Sequence, residues 1–371
     1  MKPRVLFVSR NRYRLPLSPS LRLKFEALGE LLEVRVLAAA PAGSPTADDT
    51  FSLVPPHRLR RLDGPLFYAS LPVRVAREVR RFRPDAIVAQ SGYEAAAALA
   101  GLRLARFPAQ LIVEVHGDWR TATRLYGSRS RALLAPVADR LAAAALRRAD
   151  AVRTISDYTT RLVREQGVEP TAVFPAFMDL DPFLEREPLP LPERPHALFV
   201  GVLERYKNVD GLAAAWRLAA PRLPDVRLTI VGKGTETEVV RRLVEDLPGQ
   251  TDWIRELPTE GVAAAIDEAT CVVLPSRSEG LGRVVIEALC RGRPVLGARV
   301  GGIPDLIEDG ANGILVEPGD DGALADALVR VLADTELAAR LAAAARPSVE
   351  AWLATPLEYA ERVRALVESS R

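Results

Sequence analysis

Short, continuously apolar runs alternate with longer helix-like stretches along this chain, and the rhythm occurs twice. The first series reads "RVLFVS" (Arg4 to Ser9), "EVRVLAA" (Glu33 to Ala39), "DAIVAQS" (Asp85 to Ser91), "QLIVEVHG" (Gln110 to Gly117) and "AVRTIS" (Ala151 to Ser156). The second reads "ALFVGVL" (Ala197 to Leu203), "VRLTIVGKG" (Val226 to Gly234), "DWIREL" (Asp252 to Leu257), "CVVLPS" (Cys271 to Ser276) and "RPVLGA" (Arg293 to Ala298). Strands apolar on both faces and separated by helices predict parallel sheets covered on both sides. Between the series, "DPFLEREPLPLPERP" (Asp181 to Pro195) holds five prolines in fifteen residues, which strips it of the donors that helices and ladders use. The expectation is an α/β chain with two Rossmann-like, doubly wound domains, residues 1–180 and 196–350, facing across a ligand cleft. Residues 181–195 are expected to link them, and a helix over 351–371 to pack back on the first domain.

At 371 residues, 48% hydrophobic and 26% charged, the chain suits two cytosolic domains with ordinary cores. Pro136, Asp139 and Arg140 interrupt the apolar run Ala132 to Leu146, so no bilayer span is expected. The start "MKPRVLFVSRNRYR" reads as a buried strand and not as a secretory signal. Cys271 and Cys290 sit in apolar contexts and read as reduced core thiols. Charge is uneven: basic residues exceed acidic by eleven up to Leu180, and acidic exceed basic by nine beyond it. The basic groups Arg10 to Arg14, His57 to Arg61 and Arg74 to Arg83 admit two explanations, a surface for an anionic partner or merely solvated helix faces. Without an aromatic platform among the arginines, nucleic acid is not an expected partner.

Glycine-rich turns follow three strands of the second series: "VGVLERYKN" with Gly201, "VGKG" with Gly232, and "SEGLGRV" with Gly280 and Gly282. Such turns let backbone N–H groups approach phosphate. Their spacing matches neither the dinucleotide fingerprint nor the P-loop. In the third, Glu279 ends the strand-to-turn segment. Gly280, Leu281 and Gly282 offer backbone donors, Arg283 and Val284 open a helix, and Glu287 lies one turn in. A carboxylate accepts from two vicinal sugar hydroxyls, so two of them flanking a phosphate site suggest a nucleotide-sugar. The same residues also admit a structural role, with Glu279 capping the helix and Glu287 pairing with Arg291.

The stretch "SEGLGRVVIEALCRGRPVLGARVGGIPDLIEDGANGILVEPGD", preceded by "ADAVRTISDYTTRLVREQGV" and "VFPAFMDLDPF", resembles the retaining GT-B glycosyltransferases of the large E-x7-E group, which includes mannosyl-, glucosyl- and N-acetylglucosaminyltransferases. The resemblance runs from about His116 to Asp320. It implies that Glu279 contacts the donor sugar, Glu287 the ribose, Lys207 the pyrophosphate, and His116 the region of the transferred sugar. Two departures stand out. Val202 replaces the arginine usual after the glycine at 201, so Arg205 is the expected substitute, and "SRNRYRLPLSPSL" lacks the glycine pair often found in the first loop.

The resemblance therefore implies retaining transfer of a hexosyl unit from a UDP-, GDP- or ADP-linked sugar to a hydroxyl of a glycan, glycolipid or lipid-linked sugar. No cofactor or metal is expected, since the "DLD" of Asp179 to Asp181 falls outside any strand end. Lys207, Arg205, Arg283 and the helix N-terminus would stabilise charge on the leaving phosphate. A sugar-nucleotide 2-epimerase of the same fold and a non-catalytic nucleotide-sugar-binding protein are the alternatives. The expected location is the cytoplasm, with peripheral attachment to the inner membrane face through the basic first domain.

Overall fold

The named strands pair in parallel throughout, as strands with two buried faces require. The computed structural model describes residues 1–120 and 129–369. They form two units, residues 1–178 with 354–371, and residues 179–353.

The first unit contains β1 (Arg4–Arg12), β2 (Glu33–Ala39), β3 (Phe51–Val54), β4 (Ala86–Ala89), β5 (Gln110–Val115), β6 (Ala151–Thr154) and β7 (Ala172–Val173), in the spatial order β3-β2-β1-β4-β5-β6-β7. Side chains alternate along β1: Leu6 and Val8 pack with Leu71 and Val75 of the helix Arg60–Phe82, while Val5 and Phe7 face the opposite layer with Leu28 and Leu32. The C-terminal helix Pro356–Ser369 joins that second layer through Tyr359 and Val363. Each such fully buried aliphatic side chain contributes about 1.5–3 kcal/mol of transfer free energy.

The second unit contains β8 (His196–Val200), β9 (Arg227–Val231), β10 (Thr251–Ile254), β11 (Cys271–Leu274), β12 (Val295–Ala298) and β13 (Gly313–Val316), ordered β10-β9-β8-β11-β12-β13. Strand order reverses between β1 and β4 in one sheet and between β8 and β11 in the other. Open α/β sheets bind ligands at such switch points, beyond the carboxyl ends of the strands.

Three strands lie outside the apolar runs read from the sequence. β3 is interrupted by Ser52, β7 has two residues, and β13 begins at a glycine. The proline-rich segment also differs from a free linker, because it is grouped with the second unit. Pro182 occupies the first turn of a short helix, Asp181–Leu184, where its missing N–H costs nothing. The segment is short of donors but keeps its carbonyls, and two buried arginines collect some of these. Arg291 donates to Arg186 O at 2.8 Å, and Arg293 donates to Leu189 O at 2.8 Å and Pro190 O at 3.1 Å.

Cys271 and Cys290 are buried and unpaired, with thiol pKa values pushed up to about 12 mainly by burial. Among the described residues, no helix is long and apolar enough to cross a membrane. The side chains of Arg60 and Arg61 lie outside the described residues.

Candidate functional site

β8 and β11 are hydrogen-bonded neighbours, with Ala197 opposite Cys271, so the loops leaving their carboxyl ends share the switch point of the second unit. Lys207, at the end of the 3-10 turn Arg205–Lys207, donates from Nζ to Glu279 Oε2 at 2.8 Å. Ser276 Oγ donates to the same oxygen at 3.2 Å. Lys207 and Ser276 are buried, which strengthens a charged contact relative to one in water.

Arg277 fastens one loop to the other. Its backbone N–H donates to Tyr206 O at 2.7 Å, Nη1 to Arg205 O at 2.9 Å, and Nη2 to Asp210 Oδ2 at 2.7 Å. Burial would raise the Asp210 carboxyl, but the Arg277 guanidinium and the backbone N–H groups of Asp210 and Gly211 together hold it below its ordinary pKa.

Glycines let these loops lie backbone against backbone. Gly232 has φ +156°, and a Cβ there would lie 1.9 Å from Gly201 O. Gly301, at φ +61°, would place a Cβ 1.8 Å from Glu279 O, so the "GG" of Gly301 and Gly302 supports the carboxylate loop from behind. Gly282, at φ +95°, is the N-cap of the helix Arg283–Cys290 and supplies no side-chain cap. The first N–H groups of that helix therefore lack side-chain acceptors from their own cap, the arrangement that binds phosphate.

Glu287 is buried one turn into this helix and accepts from Arg283 Nε at 2.6 Å. Burial raises its carboxyl pKa, with Arg283 and Lys207 opposing. The alternative structural roles are not what the structure shows. Arg291 pairs with Asp267 at 2.6 Å instead of Glu287, and Glu279 accepts from Lys207 instead of capping the helix.

The remaining expected residues fall differently. Val202 is exposed, Arg205 is exposed and engaged through its carbonyl, and the side chains of Leu281 and Val284 are buried, leaving only their backbones for a ligand. His116 lies in the first unit, just past β5, with Nε2 3.2 Å from Glu114 Oε2. Ser276, Arg277, Gly301 and Gly302 were not anticipated. The adjacent glycines after "ARV" were the available signal, whereas nothing local marks Arg277, whose partners lie up to 72 positions away. Among the described residues, no group of three or more His, Cys, Asp or Glu is placed to hold a metal ion.

Residues 24–182 match the family model Glycosyltransferase Family 4, and residues 183–347 match Glycosyl transferases group 1. A GDP-mannose-dependent alpha-(1-6)-phosphatidylinositol monomannoside mannosyltransferase of Mycolicibacterium smegmatis is 33% identical over 56% of this chain and 60% of its own. Across four curated relatives that it matches, the chain spans from 31% to 60% of their lengths. In fold, the chain is similar to sucrose-phosphate synthase from Thermosynechococcus elongatus, with TM-score 0.79, 22% identity, and coverage of 99% of this chain and 100% of that one. HepE of Anabaena, solved in complex with UDP-glucose, gives TM-score 0.69 at 19% identity over 99% of this chain and 100% of its own.

Proposed function

This chain belongs to the GT-B glycosyltransferases of group 1, and from that premise we propose that it is a retaining hexosyltransferase using a nucleotide-sugar donor and a hydroxyl acceptor, without a metal ion. The observation that carries the proposal is the meeting of Lys207 and Glu279 beside an uncapped helix N-terminus at the β8/β11 switch point. One site thereby offers a fixed cation and N–H donors for phosphate, and carboxylates for sugar hydroxyls.

In the proposed reaction the bond between the anomeric carbon and the β-phosphate oxygen breaks, and charge accumulates on that phosphate. Lys207, Arg283 and the N-terminus of the helix Arg283–Cys290 stabilise it in the absence of solvent reorganisation. Glu279 exchanges its ion pair for hydroxyls of the donor sugar, and Glu287 accepts from the ribose. The acceptor hydroxyl attacks on the face the phosphate leaves, its proton passes to the departing phosphate oxygen, and the anomeric configuration is kept. No protein base is needed. His116 acts as a hydrogen-bonding orienter. HepE's complex with UDP-glucose favours trying a UDP-linked donor first, and the mannosyltransferase relative favours GDP-mannose. Incubation with UDP-, GDP- and ADP-linked hexoses, scored by nucleoside diphosphate release with and without an acceptor extract, tests the activity. Release with none of them overturns it.

The acceptor side includes an anionic membrane surface in this proposal. The helix Arg60–Phe82 carries Arg74, Arg77, Arg80 and Arg81 along a groove of about 960 Å³, beside Val73, which is 62% exposed, and Leu104, 50% exposed. Arginines flanking exposed aliphatic side chains suit a leaflet of acidic lipids, with about 1 kcal/mol for each cation near the surface.

A further inference from the structure

β5 places a glutamate where its neighbours are aliphatic. In "LIVEVH" the side chains of Leu111, Ile112, Val113 and Val115 are buried, and so is Glu114, at 1% exposure. A buried ion pair is commonly no more stabilising than apolar side chains of the same volume, so such a carboxylate calls for a reason beyond stability. Its partners supply one. Arg153 stands directly opposite on β6 and donates from Nη1 to Glu114 Oε1. The arginine is itself fixed: Nη2 donates to Pro175 O at 2.7 Å and Phe174 O at 3.1 Å, and the guanidinium lies 4.0 Å over the Phe174 ring and 5.6 Å from that of Tyr359. Lys24 adds a further cation whose field reaches Glu114. Burial alone would raise the Glu114 carboxyl, but Arg153, then the His116 hydrogen bond and Lys24, hold it far below the usual carboxylate range.

The second oxygen, Oε2, faces His116 Nε2 at 3.2 Å. Residues two apart on a strand share a face, so the position just beyond β5 keeps His116 on Glu114's side of the sheet. An ionised carboxylate only accepts; the contact therefore requires a proton on Nε2. In neutral His116 the lone pair is then on Nδ1, which has no partner among the described residues, and the side chain is 34% exposed.

We propose that Glu114 is a positioning residue for sugar transfer: held by Arg153, it fixes His116 as the Nε2–H tautomer and presents Nδ1 as an acceptor for a hydroxyl of the bound sugar. This rests on the transferase reading of the site. It adds a chemical selection, since Nδ1 in this state receives a hydrogen bond from a hydroxyl or amide N–H and repels the lone pairs of a carboxylate. A sugar with a carboxylate or a bare methyl at the contacted position is disfavoured.

Imidazole nitrogen NMR on the full chain tests the tautomer without any donor, and only His57, His116 and His196 contribute signals. In the neutral ring the expected spectrum has Nε2 protonated and Nδ1 bare at His116; the opposite tautomer overturns the proposal, whatever becomes of the transferase reading. Glu114→Gln then tests the consequence. With a donor that turns over, kcat should fall about tenfold or more, by analogy with removing the outer partner that orients a metal-ligating histidine, while the nucleoside diphosphate Kd stays unchanged. In a His116→Ala background the same substitution should cost nothing further, and additive losses overturn the link. Should Glu114→Gln fail to fold because the Arg153 charge is left uncompensated, the double variant Glu114→Met/Arg153→Met removes both charges and the acceptor facing His116 and is read in the same way.

Discussion

Lys207 Nζ and Glu279 Oε2 meet at 2.8 Å although 72 positions separate them. Each neutralises the other, Lys207 buried and Glu279 half-buried, so a ligand with an anionic phosphate and a hydroxylated sugar can take both partners at once. Lys207→Ala should lower turnover by about two orders of magnitude, as for loss of one preorganised charge-stabilising donor. Glu279→Ala should also cut turnover but leave nucleoside diphosphate affinity nearly intact. Steady-state kinetics and titration with the diphosphate separate the two, and matching losses of affinity in both variants would count against these roles.

Glu287 predicts a pH signature. Burial raises its folded-state pKa, with Arg283 and Lys207 offsetting only part, so the folded protein keeps this proton to higher pH than the unfolded chain. The associated stability is complete below the ordinary carboxylate range and is lost as pH rises through the raised value. Glu287→Gln, neutral at every pH, should therefore melt higher than wild type at about pH 7.5 and show no gain near about pH 4. The same variant should bind nucleoside diphosphate more weakly. A Tm difference independent of pH contradicts the electrostatic explanation.

Gly301 has no room for a side chain. A methyl group there meets Glu279 O at 1.8 Å from a backbone at φ +61°, a region that costs an ordinary residue about 1–2 kcal/mol before any clash. Gly301→Ala should lower Tm and weaken donor binding together. By contrast Gly310→Ala, also at positive φ but with no atom within 4 Å of its added Cβ, should lower Tm and spare donor binding. Calorimetry and diphosphate titration compare them.

Arg205 and Arg277 divide two tasks. If Arg205 supplies the charge missing at Val202, Arg205→Ala should reduce turnover, and full activity shows that it does not. Arg277 holds the turn through Tyr206, Arg205 and Asp210. Arg277→Met should raise KM for the donor more than it lowers kcat, because the loop carrying Lys207 loses its tether.

Flotation with vesicles tests the membrane proposal. Binding to anionic but not neutral vesicles, lost at high salt and reduced in Arg77→Glu/Arg80→Glu, is expected. Absence of binding at low salt refutes it.

The two sheets were legible in the sequence because strands buried on both faces leave unbroken apolar runs, as in "RVLFV" and "CVVLP". β3 and β7 were not, since an edge strand such as Ala172–Val173 has too few residues and too little burial to mark itself. The proline count in Asp181–Pro195 correctly argued against long regular structure, but it carried no sign of Arg291 and Arg293, which bind those carbonyls from about a hundred positions downstream. Glu279 and Glu287 stood out by their spacing about a glycine turn, and Lys207 only through the family resemblance. Their pairings did not: the spacing was read as pairing Glu287 with Arg291, whereas Arg291 is buried beside Asp267 and Arg283, also four positions away, takes Glu287.

The most direct measurement is nucleoside diphosphate release from UDP-, GDP- and ADP-linked hexoses in the presence of a strong chelator, with the anomeric configuration of the product read by NMR. The proposal predicts release that persists under chelation, falls by about two orders of magnitude in Lys207→Ala, and yields a glycoside of the donor's own configuration. Turnover abolished by the chelator and restored by a divalent cation, or an inverted product, contradicts it.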